Sequence, residues 1–264
     1  MLFVAVAGVG FPRRGLLVAP CNAMWQLWGP DDMLYYVDTY GKPGDAESVL
    51  AAMDKCASTS WMMNMGPAKG ELVEAAFEGR KSVLEIGTFL GYMAIRISRT
   101  GARLTTIEID GANYEAARRI MAAALGDDLD GVRTIHASAR DLLLAGSVPG
   151  APFDAVLMDH WKADYPSDLD LLKTKGLLAP GALVVADNVL FPGAPDLLDY
   201  LGVDFEKTHD SVSGMPCLAV NRAANWRTSD FSTVLVSSPF EYRPETPDAL
   251  AFATYTPRRR HLSV

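Results

Sequence analysis

Cysteine is scarce in this chain: three in 264 residues, Cys21, Cys56 and Cys217, far apart and odd in number. That is neither a disulfide framework nor the paired spacing of a zinc site. It implies a reducing compartment, so a cytoplasmic protein is expected. Positive charge is also short. Lys and Arg number 24 against 32 Asp and Glu, a net charge of −8, which leaves no electrostatic footprint for nucleic acid. The Arg258-Arg259-Arg260 run reads as part of a solvated tail. No apolar run approaches the roughly 20 residues of a bilayer span. Residues 2–11 are apolar, but Arg13 and Arg14 interrupt before residues 16–19 resume, and a signal peptide carries its positive charges ahead of the apolar region. Apart from a weak anchor there, no membrane partner is expected, and residues 1–30 read as an extension. There is no internal repeat and no low-complexity segment. The G-x-G-x-x-G of dinucleotide enzymes is missing too, which argues against NAD.

The apolar content of 49% and charged content of 21% are those of an ordinary globular protein, long enough for one large α/β domain. Residues 31–60 read as helices broken by the turn Gly41-Lys42-Pro43-Gly44-Asp45, and residues 69–77 as another. From Lys81 strands and helices alternate. Strands are expected at 83–86, 103–107, 132–137, from 153 and from 182. Helices are expected at 91–98, 112–125, 139–145, 167–175 and 196–201. Alternation of this kind predicts a parallel, doubly wound sheet with right-handed crossovers. Further on, residues 233–237 and 250–255 read as strands joined by a turn through Pro244 and Pro247.

Two strand ends carry the chemistry. Ala155-Val156-Leu157-Met158 is a short apolar run that stops at Asp159, with His160, Trp161 and Lys162 directly after. Residues 182–188, ALVVADN, repeat the design and end in Asp187 and Asn188. Open α/β sheets bind ligands beyond the carboxyl ends of their strands. Asp159, Asp187 and Asn188 would there offer three oxygen donors, two of them anionic, the donor set a hard cation such as Mg2+ takes. Taken singly, Asp159 could cap the next helix and Asp187-Asn188 could form a turn. The stretch VLEIGTFLGY is strand, glycine turn and helix start. Gly87 permits the tight turn and Gly91 the close approach of the helix. Glu85 would repel a phosphate and suits a cationic ligand. Glu108 ends the second strand, where an acid takes ribose hydroxyls. Ser138 follows the third strand, within reach of an adenine edge. Together these residues point to S-adenosylmethionine (SAM).

The stretches WMMNMG, LEIGTFLGY, TTIEID, MDHWKADY, ADNVLFPGAP and FEYR, in this order, resemble animal-type catechol O-methyltransferases, from about residue 31 to residue 255. The resemblance implies a Rossmann-like class I SAM-dependent methyltransferase domain over 31–258, with a mostly parallel seven-stranded sheet whose last strand is antiparallel. An insertion at about 213–237 and a tail at 259–264 complete the chain. The implied reaction is Mg2+-dependent transfer of methyl from SAM to one hydroxyl of a catechol. By motif, Asp159, Asp187 and Asn188 would bind Mg2+, Lys162 would be the general base, and Glu241 would hydrogen-bond the second catechol hydroxyl. Met63, Met65, Glu85, Gly87, Phe89, Gly91, Glu108, Ile109, Ser138, Asp159, His160 and Trp161 fall where the family contacts SAM. Trp61, Trp161 and Pro192 would wall the flat ring, with Lys162, Asn188 and Glu241 also facing the acceptor. The family carries tyrosine where Phe89 stands and serine where Met93 stands.

A catechol hydroxyl, like tyrosine with a pKa of about 10, is mostly protonated at neutral pH. Lys162 can act as base only with a depressed pKa, and both a desolvated pocket and a nearby cation push that way. Two other readings stand beside this one. The chain could be a cation-dependent methyltransferase of larger vicinal diphenols such as caffeoyl esters, or a SAM-binding protein without turnover. A monomer is expected. His136 and His209 read as structural.

Overall fold

Short runs of apolar residues bounded by glycine or acid form the sheet, and amphipathic stretches between them form its two covers. A computed structural model describes residues 29–59, 62–203, 218–220 and 230–257. Trp61, His209, the extension before residue 29 and the tail from residue 258 lie outside the described residues. Three helices come first: α1 (Pro30–Tyr40), α2 (Ala46–Thr59) and α3 (Gly66–Phe77). Then follow β1 (Ser82–Ile86), α4 (Tyr92–Ser98), β2 (Arg103–Glu108), α5 (Gly111–Leu125), β3 (Val132–His136), α6 (Ala139–Ala145), β4 (Phe153–Met158), α7 (Tyr165–Thr174), β5 (Leu178–Ala186) and α8 (Pro195–Tyr200). The chain closes with β6 (Leu218–Val220), β7 (Phe231–Phe240) and β8 (Arg243–Tyr255).

The strand order is β3-β2-β1-β4-β5-β8-β7-β6. The first five strands in that order run parallel, and β8, β7 and β6 run antiparallel to their neighbours. The expected seven-stranded mixed sheet is therefore present, with the three-residue β6 added at its edge. Side chains alternate between two cores. Val83, Leu157 and Val185 pack with Met53, Val73, Ile95 and Ile120 of the helices on one face. Leu84, Ile86, Val156 and Val184 pack with Leu143, Leu169, Leu172 and Leu198 on the other. Both faces are covered, which is why the parallel strands read as near-continuous apolar runs.

The turn expected at Pro244 and Pro247 is earlier. Glu241 and Tyr242 turn the hairpin, and both prolines lie within β8. They are tolerated because β5 pairs with Ala251–Thr254 of β8, so among the described residues the first half of β8 has β7 as its one strand partner. Residues 231–237, at the end of the expected insertion, belong to β7. Because the β7–β8 hairpin overhangs the end of β5, its turn reaches the carboxyl edge of the sheet, where the site is built. Among the described residues, no helix is long and apolar enough to cross a membrane.

Candidate active site

The carboxyl ends of β1, β4 and β5 meet at one edge. Gly87 turns the chain after β1 with φ +96°, and a Cβ there would collide with the carbonyl of Asp159. The first and fourth strand tips thus touch through a position that takes only glycine. Gly91 caps α4 with φ +86°, where a Cβ would stand 3.0 Å from Met121 Cγ of α5. Between them, the Phe89 amide donates to Glu108 Oε2 at 2.7 Å, and the Asp110 amide donates to Oε1 at 2.9 Å. Both Glu108 oxygens are fixed by backbone, and each keeps a lone pair for a further hydroxyl.

Glu85 is buried, and the Thr106 hydroxyl donates to its Oε2 at 2.5 Å. Burial pushes its carboxyl up to about 8, against the Thr106 hydrogen bond, and the charges of Asp159 and Glu108 add to the rise. Ser138 caps α6, accepting from the Asp141 amide at 3.3 Å. His160 Nε2 bonds Asp168 Oδ2 at 3.0 Å, Asp168 also takes Arg140 at 2.9 Å, and His160 Nδ1 is buried with no hydrogen-bond partner among the described residues. Met65 and Met62 are core residues. Met63, Ile109 and Trp161 are instead exposed, at 51%, 71% and 50%. Ile109 follows directly on the tip of β2, and Trp161 lies three residues past the tip of β4. His136 stacks on Tyr114 with ring centroids 5.1 Å apart.

Asp159 and Asp187 stand on neighbouring tips. Met158 pairs with Ala186 in register, and the Asp187 amide donates to the Met158 carbonyl at 3.1 Å. Their charges interact: Asp159 is pushed up to about 6, first by burial and then by Asp187, with Lys162 and Lys69 opposing. Asn188 adopts the left-handed conformation at φ +56°. Its Nδ2 donates to Glu241 Oε1 at 2.8 Å and to Asp248 Oδ2 at 3.0 Å, so its oxygen is the end left for a cation. Pro192 follows in the same turn, half-buried.

Asp187, Glu241 and Asp248 also approach with metal-like spacing, their ligand atoms within 4.8 Å of one another. That cluster already holds an ammonium. Lys69, fully buried on α3, places Nζ 2.7 Å from Asp187, 3.1 Å from Glu241 and 2.6 Å from Asp248. Even so, burial and mutual repulsion push Glu241 up to about 8. Glu241 Oε2 is buried with no hydrogen-bond partner among the described residues. When ionised, the four acids Asp159, Asp187, Glu241 and Asp248 outnumber Lys69 and Lys162 by two charges. The edge of the site bounded by Asp159, Asp187 and the Asn188 oxygen therefore fits a divalent cation in donor type and in charge.

Lys162 Nζ donates to Asp159 Oδ1 at 3.0 Å and to the Tyr165 hydroxyl at 2.8 Å, while that hydroxyl donates to the Met158 carbonyl at 2.7 Å. Its pKa runs opposite to the sequence-based expectation. Burial pushes it down as anticipated, but Tyr165, Asp159 and Asp187 together hold it above the usual lysine value. Lys69 and Asp248 are the residues that sequence reasoning missed. Lys69 shares the buried face of α3 with Val73 and Phe77, at four-residue spacing, and a lysine on an apolar stripe was the available signal.

A family model described as O-methyltransferase matches residues 46–199. The catechol O-methyltransferase of Mus musculus is 41% identical over 189 residues, covering 68% of this chain and 71% of that protein. Catechol O-methyltransferase B of Danio rerio is 35% identical over 180 residues, covering 65% and 67%. Among solved structures, the O-methyltransferase TomG of Streptomyces achromogenes in complex with SAM superposes with a TM-score of 0.58 at 26% identity, covering 89% of this chain and 100% of that one. The matched residues 46–199 include the glycine turn and the acid-bearing strand tips, and this chain belongs to the O-methyltransferase family.

Proposed function

We propose that this protein transfers methyl from SAM to one hydroxyl of a catechol, with Mg2+ held by Asp159, Asp187 and Asn188 and with Lys162 as the general base. The observation that supports this reading is that Asp159, bonded to Lys162, and Asp187 stand on adjacent strand tips with Asn188 next in the chain, and that Glu241 Oε2 is buried with no hydrogen-bond partner among the described residues. SAM brings an already activated methyl, so the protein need only supply and orient a nucleophile. Asp159, Asp187 and Asn188 would hold the Mg2+, which would supply Lewis-acid stabilisation of a catecholate and a template for the acceptor. Glu241 would accept from the hydroxyl that is not methylated. Orientation of this kind contributes up to about 7–11 kcal/mol. The test is labelled SAM with catechol, with and without Mg2+, against a monophenol and a caffeoyl-type ester. Methylation of catechol that collapses on removal of Mg2+ is expected. Methylation of the monophenol without metal overturns the mechanism, and preference for the ester reassigns the acceptor.

The cofactor side gives a pH-dependent expectation. Between about 4.5 and 8 the buried Glu85 holds a proton that the unfolded chain would release, so in this window it costs stability as pH rises. The ammonium of SAM beside it would favour the carboxylate and drive that proton off. SAM affinity should therefore rise with pH up to about 8, and calorimetry at pH 7 in buffers of different ionisation enthalpy should register proton release. A binding heat independent of buffer removes Glu85 from contact with the cofactor.

A further inference from the structure

Asp248 is fully buried in β8, and its carboxylate joins four groups. Oδ1 accepts the backbone amides of Leu190 at 3.1 Å and Phe191 at 2.9 Å, the two residues before Pro192. Oδ2 accepts Asn188 Nδ2 at 3.0 Å and Lys69 Nζ at 2.6 Å. Lys69 carries the connection on to Asp187 and Glu241. One buried ion pair thereby ties the overhanging hairpin, helix α3, the tip of β5 and the turn bearing Pro192 into a single unit. Its strand-borne members, at the tip of β5 and in the β7–β8 hairpin, lie on the β5–β8 side of β4, while Lys69 reaches them from helix α3.

We propose that Lys69 and Asp248 are positioning residues for the acceptor: they fix Asn188, Glu241 and the Pro192 turn together and so decide which of two neighbouring hydroxyls is methylated. This rests on the catechol reading above. The chemistry requires an acid at 248. Four donors surround this one side chain, and only a carboxylate offers them two acceptor-only oxygens. In Asp248→Asn, one acceptor becomes an NH2 group that faces either the two amides or the Lys69–Asn188 pair. The cation on Lys69 stays paired with Asp187 and Glu241, so the fold keeps its charge compensation while the orientation of the unit is released.

The experiment compares wild type with Asp248→Asn, and with Asp248→Glu, which keeps the charge but displaces the oxygens. An unsymmetrical catechol, 3,4-dihydroxybenzoate, serves as acceptor. SAM affinity by calorimetry should stay within about twofold. The acceptor KM, and its Kd measured with S-adenosylhomocysteine and Mg2+, should rise about tenfold, the scale of one lost charged hydrogen bond. The ratio of the two monomethyl products should move toward unity in both variants. That ratio belongs to active molecules alone, so partial unfolding does not shift it. If wild type methylates no catechol, the underlying reading fails. If wild type does so and both variants keep its KM and product ratio, only the positioning role falls. If circular dichroism shows neither variant folded, the pair is structural framework and the proposal is likewise overturned.

Discussion

Lys162→Ala is expected to lower kcat by about 10²- to 10⁴-fold, the usual worth of a positioned base, while the SAM dissociation constant moves less than about twofold. The side chain is anchored by Asp159 and Tyr165 at 3.0 and 2.8 Å, so its place does not depend on a bound acceptor. Its protonation state does depend on its neighbours. Burial favours the neutral amine, but Tyr165, Asp159 and Asp187 hold the ammonium. Two of those three, Asp159 and Asp187, are the residues proposed to hold the cation. Once their charge is balanced, Tyr165 is left to oppose burial, which pushes the lysine toward the form that accepts a proton. Tyr165 does not replace it, because burial raises its phenol above the usual value. The pH profile carries the sign: kcat should rise with pH through the lysine pKa in wild type, and that limb should vanish in the variant. Turnover at the wild-type rate would show that the base lies elsewhere.

What could be read in the sequence was whatever local pattern controls. An apolar run that stops dead at Asp159, and another that stops at Asp187-Asn188, announce strand tips because a short buried apolar run ending in a carboxylate marks where the strand gives way to a polar site. Gly87 and Gly91 are legible for a similar reason. Their φ values of +96° and +86° are conformations that glycine itself advertises, and a strand followed by a G-x-x-x-G turn lies within one short window. Lys69 and Asp248 were illegible because their roles are set by pairing across 179 positions of chain, which no window on either residue contains. The hairpin turn was misplaced for a related reason. Proline normally marks a turn, but in β8 it occupies the overhang where only one neighbouring strand asks for an N–H. That overhang delivers both Glu241 and Asp248 to the site. The feature that misled the local reading is thus the same one that completes the chemistry.

Lys69→Met should be the most destabilising single change at this site. Methionine keeps most of the lysine stem, so the variant isolates the charge from the packing. It leaves Asp187, Glu241 and Asp248 facing one another, with side-chain exposures of 1%, 4% and 0%. Removing one partner from a buried ion pair costs about 3–5 kcal/mol, because the remaining charge has neither water nor counter-ion. The deficit should depend on pH, and its direction is fixed. Without the ammonium, the folded-state pKa values of Glu241 and Asp248 climb further above their unfolded values, and Glu241 already stands at about 8. Acids shifted upward cost nothing while both states are protonated, and they cost progressively more as pH rises toward the folded-state value. Urea melts at pH 5 and pH 8 should therefore show the variant's midpoint falling further below wild type at the higher pH, with the slope unchanged. Equal midpoints at both would mean that the three carboxylates are neutralised by their own protons, and that the ammonium at their centre compensates nothing.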